Sequence, residues 1–444
     1  MTTPIYDFVK KYAESDSARL HMPGHKGQGP LGVETYDITE ISGADVLYSA
    51  DGIIAESENF ASRLFGTAHS FYSTQGSTLA ISAMLTLAVK TSGKKTVLAA
   101  RNVHRSFINA AALLDIDAEF MYPSDASHLC ACLITPNDVE HALLKSEKEF
   151  SAVYITSPDY LGNIADIKGI SEVCKKYSLP LLVDNAHGAY LKFLPEDIHP
   201  ITLGAAMCAD SAHKTLPVLT GGAYLHISKD YPEFLEGARD AMALFASTSP
   251  SYLILSSLDL CNARLSGDYR CELLNVITKI DEAKSALKSM GYVTSDGEPL
   301  KIVINAKESG CEGSSLSDHL RLSGIEYEFS DEDYLVLMLT PENSERDVEI
   351  LVDALKNAPR VGAPEKAQPP VSKIRECAMS IREAVLSPSE RVPVSDSVGR
   401  ICAETTGACP PAVPVVISGE RITKEDAALF EYYGIEKIKV VVEK

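Results

Sequence analysis

The chain has 444 residues, with 61 acidic against 41 basic side chains and a formal net charge of −20. That balance argues against a nucleic-acid partner, which needs a basic patch, and no run of about 18 apolar residues is present to span a membrane. Hydrophobic residues make up 45%, enough core for two or three domains of roughly 150 residues each.

Ten cysteines are scattered, and only Cys130 and Cys132 lie close together. No Cys-x2-Cys pair suggests zinc, so no metal is expected, and reduced thiols in the cytoplasm are. The opening stretch MTTPIYDFVKKYAESDS lacks an apolar core and a cleavage site, so no signal peptide is expected.

In chain order, the first 30 residues read as a short amphipathic helix and a Gly/Pro-rich arm, HMPGHKGQGPLG. TLAISAMLTLAVKTSG reads as a buried helix ending at Gly93, KTVLAA as a short apolar strand and SFINAAALLDI as a helix. FSAVYITSP is a strand closed by Pro158. IKGISEVCKKYS is an amphipathic helix with Ile167, Ile170, Val173, Cys174 and Tyr177 on one face. LPLLVD is nearly all apolar, as buried parallel strands are, and GGAYLHIS is a further strand. Alternating strands and helices predict an α/β fold with a mostly parallel sheet. Beyond about residue 270, a helix (CELLNVITKIDEAKSALKSMG) leads into a small α+β unit. A Pro-rich linker, PRVGAPEKAQPPVS, then precedes a compact tail with a second Pro cluster, CPPAVPVV.

Ligands of open parallel sheets bind at the carboxyl ends of the strands. FYSTQGSTLA places Ser77 and Thr78 at the start of a helix, where free N–H groups and the dipole suit a phosphate; such residues also cap helices for structural reasons. His104 follows KTVLAA, where an ordinary polar role is common. Asp184 ends LPLLVD, and a carboxylate buried there needs a partner. Lys214 sits in DSAHKTLPVLTGG, among small and apolar residues, and a buried lysine can lose its proton and form an imine. Together these residues describe one chemistry. Pyridoxal 5'-phosphate needs a lysine for its aldehyde, an anion cradle, a carboxylate for its ring nitrogen and a planar group against its ring.

The segments RLHMPGHKG, DITEISGADVLYSADGIIAESENFASRLFG, RNVHRS, TSPDYLGNIADI, VDNAHGA and DSAHKTLPVLTGGAYLH lie along the main part of the chain. With the tail from REAVLSPSERVPVSDSVGRICAE to CPPAVPVVISGERIT, they resemble the Orn/Lys/Arg decarboxylase family in its shorter, Gram-positive-like form. The resemblance covers nearly the whole chain. It implies fold type I: a large domain on a mostly parallel seven-stranded sheet, a small α+β domain and a C-terminal domain. The boundaries expected are an arm at 1–35, the large domain at 36–268, the small domain at 269–360, a linker at 361–371 and the C-terminal domain at 372–444.

The resemblance also implies roles. Lys214 holds the cofactor aldehyde, Asp184 faces the pyridine nitrogen, Ala186 lies under the ring, His187 helps fix the site and His104 stacks. Ser77, Thr78 and Ser211 bind phosphate, and His213 or Lys214 returns a proton to the α-carbon. Ser247 and Thr248 match a stretch that reaches the neighbouring subunit's phosphate, which implies a homodimer with shared sites, the arm at His21 to Lys26 packing across it. The implied reaction is decarboxylation of lysine, arginine or ornithine to a polyamine-pathway amine. Glu420, Asp159, Glu40 and Asp45 are candidates for the distal cation of the substrate.

No response-regulator-like domain is recognisable, so inducible decamers are not expected. Tyr190 and Lys192 depart from many relatives, which touches the substrate and not the cofactor. The rival readings are an aminotransferase or lyase of the same fold, and a cofactor-bound protein without catalysis. The stretch YLVLMLTPEN offers no arginine to clamp an α-carboxylate, as an aminotransferase would require.

Overall fold

The computed structural model describes residues 2–123, 128–131, 133–360, 375–404 and 413–442. The linker expected at 361–371 and the first part of CPPAVPVV lie outside them. Seven strands, β1 (His69–Ser73), β2 (Thr96–Ala100), β3 (Asp117–Met121), β4 (Phe150–Thr156), β5 (Leu181–Asp184), β6 (Met207–Asp210) and β7 (Ala223–Ile227), form a sheet in the order β1-β7-β6-β5-β4-β2-β3. The pairs β2/β3, β4/β5 and β5/β6 are parallel, and β7 runs antiparallel to its neighbours β1 and β6. The mostly parallel seven-stranded sheet expected of fold type I is therefore present. Every residue of β5, β6 and β7 is buried, which is why these strands carry no polar face in the sequence. At the other end of the order, the edge strand β3 carries Asp117 and Glu119. These charges pair with Lys148 (2.8 Å) and Ser146 (2.9 Å), and they discourage edge-to-edge pairing.

The chain divides into two compact units. The first comprises residues 1–94, 149–157 and 167–270. Its helix Gly76–Ser92 is apolar nearly all round and buries a continuous run from Leu79 to Leu85. It stops at Gly93, whose φ of +69° lets the chain turn away. The N-terminal helix Pro4–Ala13 docks through Ile5 and Val9, both buried. It is held by the buried carboxylate of Asp259 in the helix Tyr252–Leu265, which accepts the Ile5 amide at 2.9 Å, the Tyr6 amide at 3.1 Å and the Ser57 hydroxyl.

The second unit comprises residues 95–148, 158–166 and 271–444. It includes a four-stranded sheet built from β8 (Val293–Thr294), β9 (Lys301–Asn305), β10 (Phe329–Ser330) and β11 (Tyr334–Met338), in the order β10-β11-β9-β8. The helices Gly313–Leu322 and Glu345–Lys356 accompany it. The stretch YEFSDEDYLVLMLT is thus a hairpin, turning at Asp331–Asp333 where Asp331 accepts the Asp333 and Tyr334 amides. A two-stranded antiparallel ribbon, β12 (Ser389–Pro393) with β13 (Lys437–Val441), belongs to the C-terminal part. No helix of the described residues is long and apolar enough to cross a membrane.

Candidate active site

In the first unit, two neighbouring parallel strands end at the same level. The β5/β6 ladder stops at Asp184 opposite Ala209, and one further main-chain bond follows, from the Asn185 amide to the Ala209 carbonyl (3.0 Å). Beyond it the chain leaves β5 as Ala186–His187–Gly188 and leaves β6 as Ser211–Ala212–His213–Lys214. Residues that the sequence separates by thirty positions are brought together by this strand pairing.

Asp184 is 2% exposed. One carboxylate oxygen accepts the Tyr154 hydroxyl at 3.2 Å and the other the Ala186 amide at 3.3 Å. Burial pushes its pKa up to about 6; the Lys214 charge, Tyr154 and Ala186 oppose this, and the Asp210 charge adds to it. Lys214 Nζ lies 3.0 Å from His187 Nε2. When Lys214 is an ammonium it has only donors, so the imidazole nitrogen accepts. His213 Nδ1 donates to the Gly222 carbonyl at 3.0 Å. Burial lowers its pKa, the Gly222 bond raises it and the Lys214 charge lowers it, with a net downward shift. Neutral His213 therefore has an acceptor at Nε2.

Ser211 Oγ donates to Ser77 Oγ at 2.8 Å, so two of the three expected phosphate ligands meet. Thr78 is exposed beside Ser77 in the first turn of the helix Gly76–Ser92, and no side chain caps that helix. Gly76 has a φ of +70°, and a Cβ added there would meet nothing within 4 Å. Uncapped first-turn amides, three hydroxyls and open space make an anion cradle. The donor set thus fits pyridoxal 5'-phosphate: hydroxyls and amides for the phosphate, a buried carboxylate with raised pKa for the ring nitrogen, and a lysine for the aldehyde. Gly188 serves the same turn, because a Cβ on it would fall 1.9 Å from Asn185 Oδ1.

His104 belongs to the second unit, where it caps the helix Arg105–Leu114; its Nδ1 accepts the Ser106 amide at 3.2 Å and meets the Ser106 hydroxyl at 2.8 Å. Ser247 and Thr248 are exposed on the loop before Tyr252–Leu265. Of the four acidic candidates, three are engaged. Glu420 is buried: it accepts the Ile417 amide at 2.7 Å and lies 3.5 Å from Arg101 and 3.8 Å from Arg375. Asp159 accepts the Asn163 amide (2.9 Å) and side chain (2.7 Å), and burial raises its pKa to about 6. Asp45 gathers backbone amides of Val46, Asp51, Gly52 and Ile54 at the start of the helix Ile53–Phe65. Burial raises its pKa and those amides lower it, with the amides prevailing. Glu40 is exposed.

A buried carboxylate that sequence reasoning missed is Asp210, immediately before Ser211. It binds His199 and His226, fifteen and twelve residues from Lys214 in the chain, with nothing in their local sequence to mark them.

Fold and donor set together define a fold type I pyridoxal-phosphate enzyme. The family model for the Orn/Lys/Arg decarboxylase major domain matches residues 3–306, and that for the C-terminal domain matches residues 366–438. Among curated relatives, an arginine decarboxylase of Halalkalibacterium halodurans is 31% identical over 96% of this chain and 92% of its own. An arginine decarboxylase of Bacillus subtilis is 29% identical over the same shares. Among solved structures, a Francisella novicida lysine decarboxylase superposes with a TM-score of 0.81 at 17% identity, over 99% of this chain and 81% of that one. The constitutive lysine decarboxylase of Escherichia coli gives 0.76 at 18% identity, over 99% and 82%. The chain belongs to the Orn/Lys/Arg decarboxylase family. It is an amino-acid decarboxylase whose cofactor is pyridoxal 5'-phosphate.

The raised pKa of Asp184 sets a pH dependence in the cofactor-free protein. The folded state holds this proton more tightly than the unfolded chain, whose carboxyl titrates near 4. Its contribution to stability is therefore fully present below about pH 4 and is lost as pH rises to about 6. Chemical denaturation should show the stability of wild type relative to Asp184→Asn falling by about 3 kcal/mol across that window and levelling above it. A flat difference would contradict the assignment.

Proposed function

We propose that this enzyme decarboxylates a basic amino acid, lysine, arginine or ornithine, and releases the corresponding amine and CO2 into the polyamine pathway of the cytoplasm. The observation that carries this reading is the pairing of buried Asp184 with the Lys214 turn, beside the Ser77–Ser211 cradle. The names of the full-length relatives support the substrate class.

The bound cofactor supplies an electron sink for the bond to the leaving carboxylate. Lys214 would hold the cofactor's aldehyde, and its amine is the group that would return a proton to the substrate's α-carbon. Asp184 keeps the ring nitrogen protonated; its own partners, Tyr154 and Ala186, hold the carboxylate in place. Ala186 would present a small side chain to the cofactor ring, and His104 is the residue that the family resemblance assigns to stacking on it. His187 orients the Lys214 amine. Ser77, Thr78 and Ser211 would hold the phosphate, and Ser247 and Thr248 would reach that of a second subunit. In this arrangement residues 36–268 act as the cofactor-binding domain, 269–360 as the small domain and 372–444 as the family's C-terminal domain. Glu40 is the carboxylate left to meet the distal cation of the substrate, because the other three candidates are already engaged.

Purified, cofactor-loaded protein should give CO2 and one amine from a panel of lysine, arginine and ornithine. Lys214→Ala should abolish turnover, the visible absorbance of the loaded protein and covalent fixation of the cofactor by borohydride. Production of a keto acid without CO2 would favour the aminotransferase alternative, and turnover retained in Lys214→Ala would remove the lysine from its role.

Glu40→Gln should raise KM for the preferred dibasic substrate about tenfold with kcat little changed, as loss of one charge-assisted contact requires. An unchanged KM would eliminate Glu40.

A homodimer with shared sites accounts for the exposed Ser247–Thr248 loop and for exposed apolar residues of the arm, Leu20, Met22 and Leu31. Mixing inactive Lys214→Ala with an inactive Ser247→Ala/Thr248→Ala variant should regenerate activity, because hybrid dimers contain one intact site. A mixture as inactive as its components, after verified subunit exchange, would refute sharing.

A further inference from the structure

Asp210 takes no part in the chemistry above, yet it lies where the two site segments separate. Its side chain is fully buried at the end of β6. Oδ1 accepts the Asn185 amide group at 2.8 Å and the Cys208 thiol at 3.2 Å. Oδ2 meets His199 Nε2 at 3.0 Å and His226 Nε2 at 3.2 Å. The far ring nitrogens indicate how these histidines are protonated. His199 Nδ1 accepts the Ile201 amide at 3.4 Å, which leaves its proton on Nε2. His226 Nδ1 lies 2.8 Å from the Ser70 hydroxyl, itself 2.8 Å from Thr67 Oγ1. Burial lowers the pKa of His226 despite Asp210 beside it, so its ring is neutral, with Nε2–H toward Asp210 and Nδ1 accepting from Ser70. Burial alone would raise the pKa of Asp210, but its two histidines hold it well below the usual carboxylate range. It is a carboxylate with four donors, sealed from water.

The position of this group gives it a consequence. The β5/β6 ladder ends at Asp184 opposite Ala209, with one more main-chain bond from the Asn185 amide. The Asn185–Asp210 bond carries the tie one residue past that point, between the neighbour of Asp184 and the neighbour of Ser211. Asn185 is seated on the other side by Gly188, whose missing Cβ gives its side chain room. We propose that Asp210 is a positioning residue of the cofactor site, which through Asn185 fixes the Asp184 end of β5 against the turn bearing Ser211 and Lys214. The inference rests on the reading of Asp184, Ser211 and Lys214 as the cofactor site.

A merely structural carboxylate would lower stability without touching the cofactor. Asp259, buried in the same unit and holding the N-terminal helix, is the control. The experiment measures the dissociation constant for pyridoxal 5'-phosphate added to cofactor-free protein, followed by visible absorbance, together with the thermal midpoint of each variant. Asp210→Ala and Asn185→Ala should each weaken binding about tenfold or more, because buried donors lose their acceptor or the tie is cut. Asp259→Ala should lower the thermal midpoint and bind the cofactor as wild type does. Asp210→Asn should bind within about threefold of wild type: Asn185 Oδ1 has no hydrogen-bond partner, so its amide can turn and accept from the new amide nitrogen. If Asp210→Ala does not fold, Asn185→Ala decides. Binding unchanged in Asn185→Ala, or weakened equally in Asp259→Ala, would overturn the proposal. Lys214→Ala separates the two levels: if it still allows borohydride to fix the cofactor, the underlying site reading fails instead.

Discussion

The burial of one carboxylate, Asp184, is the constraint around which the first unit is organised. An isolated charge in an apolar sheet costs several kcal/mol, so such a group must neutralise or find partners. Asp184 does some of each. Tyr154 and Ala186 donate to it and the Lys214 charge lowers its pKa, yet burial still raises that pKa to about 6. Asp210, at the end of the next strand, is treated in the opposite way, since two imidazoles, an amide and a thiol donate to it and hold its pKa down. Two acids on adjacent strands therefore titrate in different ranges by virtue of their partners, and such a divergence marks functional ground. The fixed anion at Asp210 in turn disfavours ionisation of Asp184 when no cation is bound. In the role proposed for Asp184, a protonated ring nitrogen would supply the cation that both carboxylates favour.

Much of this was legible in the sequence, for physical reasons that can be named. LPLLVD reads as a buried strand because both its faces are covered, and the acid that ends it is conspicuous for that reason. Lys214 stands out because small and apolar residues surround it. The strands that escaped notice are those without a distinctive pattern: β6 is the four residues MCAD, and β3 is the charged edge segment DAEFM. The histidine partners of Asp210 were illegible in principle, since His199 lies in a loop and His226 on the antiparallel strand β7, and only the fold brings them to one oxygen.

The acidic residues expected to meet the substrate show the opposite limit. Acidic side chains in a motif-rich stretch invite a binding role, but sequence does not show which are already occupied. Asp45 is consumed by the backbone amides of its own loop, and its φ of +70° reflects that tight turn. Asp159 is satisfied by Asn163, four residues away. Glu420 is the most instructive of these. Its partners Arg101 and Arg375 are 319 and 45 positions distant in the chain, and no local pattern announces them.

That network also suggests what Glu420 does instead. Within the second unit, Arg101 donates to the carbonyls of Pro414 and Val415, both at 2.9 Å, while Arg375 binds Asp426 at 2.7 Å. Removing one member of such a cluster leaves a buried charge without its partner, which costs more than the intact cluster contributes. The C-terminal part is thereby fastened at Arg101, three residues before His104, in the segment that follows β2. His104 is locked into its helix cap by Ser106, so its ring cannot be reoriented without breaking that cap. A buried ion cluster is a poor source of stability but a good source of geometric definition. Its place at the base of the His104 segment accounts for a glutamate in SGERIT whose carboxylate is already paired within its own fold.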